Sequence, residues 1–178
     1  MVIDFSNCEK IDNKVFVYHN FLSEDMIKEI IDRAIDKDYI TLEFSDIHVT
    51  NSINIDHDKI LFNHCNLLLK PSKNILIDGF TFVHVQKGNS WGLHEDSQSY
   101  ANFEEKGKIY YAGVIYLNDF EGGAVVYPNI NKKYKAKKGD LLLHDAFEMH
   151  YVEEVESDKR YTVTLYIWEP KNNYIENK

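Results

Sequence analysis

Apolar and polar residues follow two different periods along the chain, and the period changes near residue 79. Before that point, two segments place apolar residues every three or four positions, as a helix with one buried face does. The first segment follows Ser23, a good N-cap, and has Glu24 and Asp25 in its first turn. The second runs from about Asp58 to Pro71. Both are expected to be amphipathic helices that cover a sheet. Their apolar positions are Ile27, Ile30, Ile31, Ala34 and Ile35 in the first, and Ile60, Leu61, Cys65, Leu67 and Leu68 in the second.

From residue 79 onward, the chain consists of short runs rich in β-branched and aromatic residues, separated by Gly, Asn and Asp. A few helices followed by many short strands are typical of an α+β fold, in which a sandwich or barrel carries helices on one side. We expect a single domain over residues 1–178, with helical support over about 20–70 and a jelly-roll core over about 79–168. The strand-like runs are GFTFVHVQ, IYYAGVIYLN, GGAVVYP, GDLLLHD and RYTVTLYIW.

Composition excludes several classes of protein. The chain has 178 residues, of which 44% are apolar, so it can bury the core of one globular domain. No apolar run reaches the roughly 18 residues of a membrane-spanning helix. The first ten residues, MVIDFSNCEK, do not resemble a signal peptide. We therefore expect a cytoplasmic protein with no membrane partner, in which Cys8 and Cys65 are free thiols.

The charge distribution bears on the choice of partner. Twenty basic and 29 acidic residues give a net charge of −9. This balance disfavours nucleic acid, because phosphate contacts need clustered Lys and Arg. Arg33 and Arg160 are the only arginines, against 18 lysines. One basic cluster is either a solvated loop or a docking patch for an acidic partner. It contains Lys132, Lys133, Lys135, Lys137 and Lys138.

The segment GLHEDSQSY contains the first candidate metal ligands. In an extended strand, His94 and Asp96 would point to the same face because side chains alternate. One imidazole and one carboxylate are two of the three ligands in the facial triad of non-haem Fe(II) oxygenases. The third ligand should be a distant histidine, and His150 is the best candidate because it opens the β-like segment HYVEEV. His84 and His144 also lie in strand-like runs and remain alternatives.

Arg160 is a candidate anion-binding residue. It lies ten residues after His150, at the start of the next strand-like run. A guanidinium can bind a carboxylate through two parallel hydrogen bonds. Thr162 shares the strand face of Arg160 and can donate a hydroxyl hydrogen bond to the same anion. The alternative is a surface arginine that pairs with Asp158 or a nearby glutamate.

Short motifs follow one another in a fixed order from about residue 79 to residue 168. They are Gly88 with His94 and Asp96; Tyr116-Leu117-Asn118 with Gly122, Gly123 and Tyr127-Pro128; Lys138-Gly139-Asp140 with Leu142 and His144; His150 with Arg160; and Trp168. This ordered set resembles the 2-oxoglutarate- and Fe(II)-dependent dioxygenases, and most of all the small prolyl 4-hydroxylase catalytic domains. The resemblance covers about half of the chain.

The resemblance implies a double-stranded β-helix (jelly roll) with the N-terminal helices packed on one sheet. It implies that His94, Asp96 and His150 hold Fe(II) and leave three positions open. Two of these positions would take 2-oxoglutarate and the third O2, with release of succinate and CO2. Arg160, helped by Thr162, would bind the distal carboxylate of 2-oxoglutarate. Ascorbate is the expected reductant.

The chain departs from the family pattern at some positions. Many members have a co-substrate-binding tyrosine where this chain has Val85, which cannot form a side-chain hydrogen bond. Tyr116, on the neighbouring strand, is the candidate to replace it, with Tyr110 and Tyr111 as alternatives. The prolyl 4-hydroxylases usually have Lys where this chain has Arg160, and the oxygen-sensing prolyl hydroxylases have Arg. The resemblance therefore does not define a subfamily.

The resemblance further implies a peptide or protein substrate that contains proline. A shallow aromatic groove would suit such an extended chain. The polar loop of residues 97–108 is either a lid over this groove or an ordinary connection. Two alternative functions remain: an oxygenase of the same kind that acts on another side chain or a small molecule, and a non-catalytic jelly roll that binds a ligand. The sequence predicts neither the oligomeric state nor the natural substrate. The groove candidates, each of which could instead be core packing, are Trp91, Tyr100, Tyr127 and Tyr151.

Overall fold

A computed structural model describes residues 2–35, 40–44, 48–55, 58–98 and 106–171. Within these ranges the chain forms two α-helices, α1 (Glu24–Ile35) and α2 (Lys59–Leu69), and twelve β-strands. The strands are β1 (Glu9–Asp12), β2 (Val15–Tyr18), β3 (Ile40–Phe44), β4 (His48–Asn54), β5 (Leu76–Gln86), β6 (Trp91–His94), β7 (Gly107–Tyr116), β8 (Val125–Tyr127), β9 (Lys132–Tyr134), β10 (Leu141–Asp145), β11 (His150–Val152) and β12 (Lys159–Pro170).

The strands form two antiparallel sheets. The large sheet has the order β1-β2-β10-β7-β12-β5-β4-β3, and the small sheet has the order β6-β11-β8-β9. From β5 to β8 the chain alternates between the sheets at every strand, and it does so again from β10 to β12. This winding is the double-stranded β-helix, so the predicted α+β jelly roll is confirmed.

Both predicted helices are present with the expected signals at their ends. The Ser23 hydroxyl accepts a hydrogen bond from the backbone N–H of Met26 at the start of α1. The Asp58 carboxylate accepts hydrogen bonds from two backbone N–H groups at the start of α2. Lys70, in the left-handed conformation, ends α2 just before Pro71. Neither helix has the length and apolar character that crossing a membrane requires.

Two apolar layers lie on opposite sides of the large sheet. The alternation of β10 shows this arrangement: Leu141 and Leu143 face the helices, whereas Leu142 faces the small sheet. The helix-side layer takes its side chains from α1, α2 and the large sheet, and it includes the buried free thiol Cys65. The layer between the sheets contains Tyr127 of β8 and is smaller. The polar residues His144, His150 and Arg160 are buried against the aromatic rings of this smaller layer.

The structure adds elements that the sequence pattern had not predicted. Four strands, β1 to β4, lie in the first 54 residues, where only a helix was expected. The buried face of α2 also differs from the expectation, because Leu61, Cys65 and Leu69 are buried while Leu67 is 70% exposed. β1 and β4 are short or rich in polar residues, so they have little apolar alternation to reveal them.

Candidate metal centre

Two neighbouring strands of the small sheet present the candidate histidines. β6 and β11 pair antiparallel, and His94 is the direct cross-strand partner of His150. Their imidazole centroids are 4.3 Å apart. One donor atom each from His94, Asp96 and His150 lies within 4.8 Å of the others. The structure therefore brings together all three residues that the sequence proposed as metal ligands.

Asp96 reaches this cluster in a different way from the one expected. β6 ends at His94, and Asp96 begins a short 3-10 turn, so the two residues are not on one continuous strand. The turn is held by a hydrogen bond from the Ser97 N–H to the Ala146 carbonyl. It places Asp96 Oδ1 3.6 Å from His94 Nε2, and Oδ2 3.7 Å from His150 Nε2. The expected strand geometry was wrong, yet the proximity of the side chains does not depend on it.

Backbone carbonyls orient both imidazoles. Nδ1 of His94 donates to the Gly92 carbonyl at 2.6 Å, and Nδ1 of His150 donates to the Glu148 carbonyl at 2.9 Å. Because a carbonyl can only accept, each Nδ1 carries the proton and each Nε2 is directed into the cluster. Metal-binding histidines are usually fixed by such a bond on the other ring nitrogen.

Burial and neighbouring charges set the protonation of the cluster. Burial is the largest cause that lowers the pKa of His150, to about 3, so its imidazole is neutral near neutral pH. Burial disfavours ionisation of Asp96, but hydrogen bonds with His144 and His94 hold its pKa well below the usual range. Burial likewise opposes protonation of His94, but interactions with Asp96 and the Gly92 carbonyl raise its pKa. The cluster thus offers an ionised carboxylate and at least one neutral imidazole.

The two alternative histidines have different positions. His84 pairs with Tyr161 across β5 and β12, on the side of the large sheet that faces the helices. It therefore lies in another layer. His144 is inside the centre, where its Nε2 lies 2.8 Å from Asp96 Oδ2. It does not join the three-donor cluster. The sequence pattern identified His144 only as a competing ligand and gave no sign of its contact with Asp96.

Arg160 is buried between the sheets, with 5% of its surface exposed. The guanidinium carbon lies 5.2 Å from the ring centroid of Tyr116 and 5.3 Å from that of Phe120. No carboxylate of the described residues forms an ion pair with Arg160, and its Nε has no hydrogen-bond partner there. The alternative of a surface arginine paired with Asp158 is therefore wrong. A buried cation without a counter-charge destabilises the folded protein unless a bound anion balances its charge.

Of the three candidate tyrosines, Tyr116 is the one that lies near Arg160. Thr162 is buried on the same face of β12 and is the cross-strand partner of Tyr116 on β7, while Val85 on β5 is opposite Arg160. The hydroxyl of Tyr116 is buried without a hydrogen-bond partner in the described structure. The alternatives are directed elsewhere: Tyr110 donates to Glu169, and Tyr111 packs on Phe5 and Phe16.

The groove candidates divide into three groups. Trp91 and Tyr151 are partly exposed, and the Trp91 ring centroid is 6.2 Å from that of His94. Tyr127 is completely buried and binds His144 through its hydroxyl, so it cannot line an open groove. Tyr100 and most of the 97–108 loop lie outside the described residues. The side chains of Leu93 and Phe147 are 58% and 57% exposed, and sequence reasoning missed both of them.

Three of the five lysines in the cluster make local side-chain contacts. Lys133 forms an ion pair with Glu153 at 2.6 Å. Lys138 pairs with Glu24 at the start of α1, and Lys135 donates to the Gly122 carbonyl. These contacts favour the interpretation as a solvated loop over that as a docking patch.

Comparison with known proteins finds hydroxylases among the relatives of this chain. No protein-family model matches the chain. A PKHD-type hydroxylase of Prochlorococcus marinus is 27% identical over 145 residues, which are 72% of this chain and 62% of the relative. A protein of Acanthamoeba polyphaga mimivirus that is provisionally named a prolyl 4-hydroxylase is 28% identical over 155 residues, 78% and 63% of the two chains. The matches thus span about half to two thirds of the relatives' own lengths.

Solved structures with the same fold include two prolyl hydroxylases and an epimerase. The viral collagen prolyl hydroxylase of Paramecium Bursaria Chlorella virus-1, in a 2-oxoglutarate complex, has a TM-score of 0.70 at 17% identity over 88% of this chain and 97% of that one. A Trichoplax adhaerens prolyl hydroxylase with a hypoxia-inducible-factor peptide fragment has a TM-score of 0.63 at 19% identity over 93% and 88%. A non-haem α-ketoglutarate-dependent epimerase from nogalamycin biosynthesis has a TM-score of 0.66 at 9% identity over 88% and 78%.

These likenesses define the class of fold. The chain has the double-stranded β-helix of the 2-oxoglutarate- and Fe(II)-dependent oxygenases, and the resemblance to this superfamily that the motifs predicted is confirmed.

Proposed function

We propose that this chain is an Fe(II)- and 2-oxoglutarate-dependent dioxygenase that hydroxylates peptidyl proline and releases succinate and CO2. One observation carries the proposal: the three-donor cluster of His94, Asp96 and His150 lies in the same fold as a buried arginine that has no carboxylate partner among the described residues. A metal site and a separate anion site are the two features that this chemistry needs. The relatives named as hydroxylases support the same assignment.

The donor set fits Fe(II). Two imidazole nitrogens and one carboxylate oxygen on one side of the metal are the 2-His-1-carboxylate set of non-haem iron enzymes. Nε2 of His94 and of His150 and the carboxylate of Asp96 would hold the ion. A structural zinc site would instead be expected to close with four protein ligands. When bound, Fe(II) together with 2-oxoglutarate and O2 supplies the oxidising power for hydroxylation.

The far end of the site fits a dicarboxylate. The Nε of Arg160 and the hydroxyl of Tyr116 are buried donors without partners in the described structure. A carboxylate between them would satisfy both, since an anion accepts hydrogen bonds from guanidinium and phenol alike. Thr162 is placed on the same face to add a third donor. We assign this end to the distal carboxylate of 2-oxoglutarate. The aromatic rings of Tyr116 and Phe120 keep water away from the guanidinium and strengthen that interaction.

The surface beside the cluster favours a peptide substrate. Leu93 and Phe147 are exposed apolar side chains close in sequence to the proposed ligands, and Trp91 and Tyr151 are partly exposed residues of β6 and β11. An extended chain with proline rings would bury these surfaces. A prolyl hydroxylase of the same fold has been solved with a peptide fragment. Proline as the target residue, and ascorbate as the reductant, stay predictions.

The test of substrate class is a paired peptide assay. The protein, loaded with Fe(II), is incubated with 2-oxoglutarate, O2 and a proline-rich peptide, or with the same peptide carrying Ala in place of Pro. We expect succinate formation and a mass gain of one oxygen atom for the proline peptide alone. His150→Ala should abolish both signals. Equal mass gain in the Ala peptide would contradict proline as the target.

A second candidate is an oxygenase of the same chemistry that acts on a small molecule. The likeness to the epimerase from nogalamycin biosynthesis favours it, since that protein shares the fold at a comparable TM-score. In the paired assay this candidate predicts that neither peptide gains oxygen. Succinate would then form only when a small-molecule mixture is supplied.

A further inference from the structure

His144 lies inside the candidate metal centre without belonging to its three-donor cluster. It is on β10 of the large sheet, its side chain is 1% exposed, and its ring centroid is 4.2 Å from that of His150. Its Nε2 lies 2.8 Å from Asp96 Oδ2, and its Nδ1 lies 3.0 Å from the hydroxyl of Tyr127. Tyr127 is on β8 of the small sheet. His144 therefore connects a strand of each sheet to the carboxylate of the proposed site.

The chemistry of these three groups fixes the direction of the hydrogen bonds. The ionised carboxylate of Asp96 can only accept, so Nε2 of His144 carries a proton. When the imidazole of His144 is neutral, its Nδ1 accepts a hydrogen bond, and the Tyr127 hydroxyl donates that bond. The reverse tautomer would place the lone pair of Nε2 against a carboxylate oxygen. The bonds therefore form one directed chain from Tyr127 through His144 to Asp96.

Tyr127 is suited to remain a donor in this chain. Its side chain is completely buried. A phenol has an ordinary pKa of about 10, so the Tyr127 hydroxyl keeps its proton near neutral pH. It therefore favours the tautomer of His144 that protonates Nε2.

We propose that His144 is a positioning residue whose Nε2–H holds Oδ2 of Asp96 and thereby directs Oδ1 to the metal, with Tyr127 fixing the required tautomer. This inference rests on the proposed metal site and assigns a role to a residue outside the ligand set. The terminal torsion of an aspartate is broad and nearly two-fold, so an unrestrained carboxylate could rotate and offer both oxygens. His144 prevents this rotation.

The same bond accounts for why a fourth donor does not close the site. A nitrogen that carries a proton has no lone pair for a metal, so His144 cannot coordinate while it donates to Asp96. Four coordinating side chains would favour a closed, tetrahedral site. With three, the metal keeps open positions for the co-substrate and O2.

The test is Co(II) binding to the metal-free protein. The visible absorption of Co(II) reports both its affinity and its coordination, and it needs no turnover. His144→Leu removes the donor and keeps an apolar volume, and we expect it to raise the Co(II) Kd about tenfold to hundredfold. The shape of the Co(II) spectrum should also change, because the carboxylate can then bind through both oxygens. A residue that only supported the fold would leave that spectrum unchanged.

Two further variants make the test specific. His144→Gln keeps an N–H near the position of Nε2, so the wild-type spectrum should be retained and the Kd should stay within about threefold. Tyr127→Phe removes only the hydroxyl, and the Kd should rise about threefold to tenfold. His84→Leu is the matched control, because it is the same substitution in the large sheet on the helix side, and its Co(II) Kd should equal that of the wild type.

The outcomes separate this inference from the proposed function. Wild-type Kd and spectrum in both His144→Leu and Tyr127→Phe would overturn the role of His144 and leave the metal site standing. If His144→Leu does not fold, as judged by thermal unfolding, Tyr127→Phe decides: a weaker Kd supports the inference and an unchanged one overturns it. Failure of the wild-type protein to bind Co(II) would overturn both the inference and the proposed function.

Discussion

At the scale of single residues, the two arginines show that surroundings decide what a side chain does. Arg33 lies at the surface and pairs with Glu29 at 3.3 Å and Asp58 at 3.2 Å, so it connects α1 to the start of α2. Arg160 is buried with no carboxylate of the described residues beside it. The first contributes modestly to stability. The charge of Arg160 needs a bound anion to balance it, and we therefore assign Arg160 to the co-substrate end of the proposed site.

Arg160→Met should weaken 2-oxoglutarate binding while leaving the fold intact. Methionine has a similar length and can pack between Tyr116 and Phe120, but it donates no hydrogen bond to a carboxylate. We expect the 2-oxoglutarate Kd of the metal-loaded, oxygen-free protein to rise at least about tenfold. Isothermal titration measures it. The melting temperature of the metal-free protein should not fall, because the substitution removes a buried charge that lacks a partner.

Arg33→Met is the control for this prediction. It removes the other arginine of the chain, far from the candidate site in the layer of helices, and should leave the 2-oxoglutarate Kd unchanged. Equal Kd values for Arg160→Met and the wild-type protein would contradict the assignment of Arg160 to the co-substrate.

At the scale of elements, the tight turn before β8 determines where that strand begins and where its side chains lie. The Glu121-Gly122-Gly123 turn precedes β8, and both glycines have the left-handed φ values of +66° and +58°. A Cβ at Gly122 would lie 2.2 Å from the Glu154 carbonyl oxygen and 2.8 Å from the Glu156 nitrogen. Both atoms are backbone, so they cannot move aside easily. Gly123 lies against the Arg160 side chain, and the turn therefore supports the anion-binding end of the site.

Gly122→Ala should destabilise the protein by about 1–3 kcal/mol, since it adds left-handed strain to a backbone clash. Urea unfolding of the metal-free protein measures the change in the free energy of unfolding. Gly92→Ala is the matched control, because a Cβ there meets nothing within 4 Å and no left-handed φ is involved. Equal destabilisation by the two substitutions would show that the Gly122 contact has no special role.

His19, just after β2, should make stability depend on pH. Its Nε2 lies 2.7 Å from Glu9 on β1, and its Nδ1 lies 3.1 Å from Asp140 before β10. The hydrogen bond with Glu9, assisted by Asp140, raises the pKa of His19. A raised pKa means that the folded state favours the protonated form. The stabilisation is therefore fully present below the unfolded pKa of about 6.5 and is lost as pH rises through the folded value.

His19→Gln isolates this contribution. The difference in unfolding free energy between wild type and variant should be largest near about pH 5.5 and should shrink by about pH 8.5. Urea unfolding of the metal-free proteins at several pH values measures it. A difference that stays constant with pH would mean that the protonated form of His19 is not stabilised by its two carboxylate neighbours.

The elements also show what the sequence could predict. β5, β7, β10 and β12 are runs rich in apolar and aromatic residues between clear turn signals, and all were expected. β1 and β4 were missed because they are rich in polar residues and show no clear alternation of apolar and polar positions. The extended geometry assumed for Asp96 failed because a contact distant in sequence, from Ser97 to Ala146, turns the chain there. Local pattern contains no information about such contacts.

At the scale of the whole molecule, the site draws on both sheets. The proposed metal ligands lie on or beside the small sheet, whereas Arg160 and His144 belong to the large sheet. The order of motifs predicted which residues would matter, and the structure brings His94, Asp96 and His150 together as expected. The pairing of β6 with β11, and the chain of bonds from Tyr127 to Asp96, depend on sheet topology. They could not be read from the spacing of residues.

Because the site joins the two sheets, bound ligands should stabilise the whole fold. The metal should do so alone, and 2-oxoglutarate only after the metal has bound. At a free metal concentration of 100 times its Kd, a divalent ion adds about 2.7 kcal/mol of stability, which raises the melting temperature of a chain of this size by roughly 5–10 °C. 2-Oxoglutarate should add a further increase only when the metal is present. Thermal unfolding with Mn(II), with and without a chelator, measures this. A full increase from 2-oxoglutarate alone would contradict metal-dependent binding.

The most direct test of the account is an anaerobic titration of the metal-free protein with Fe(II), followed by 2-oxoglutarate, with the visible absorption recorded throughout. We expect a charge-transfer band that appears only when both are present, that is absent in His150→Ala, and that needs much more 2-oxoglutarate in Arg160→Met. No band in the wild-type protein at saturating concentrations of both would mean that these residues do not assemble an Fe(II) and 2-oxoglutarate site.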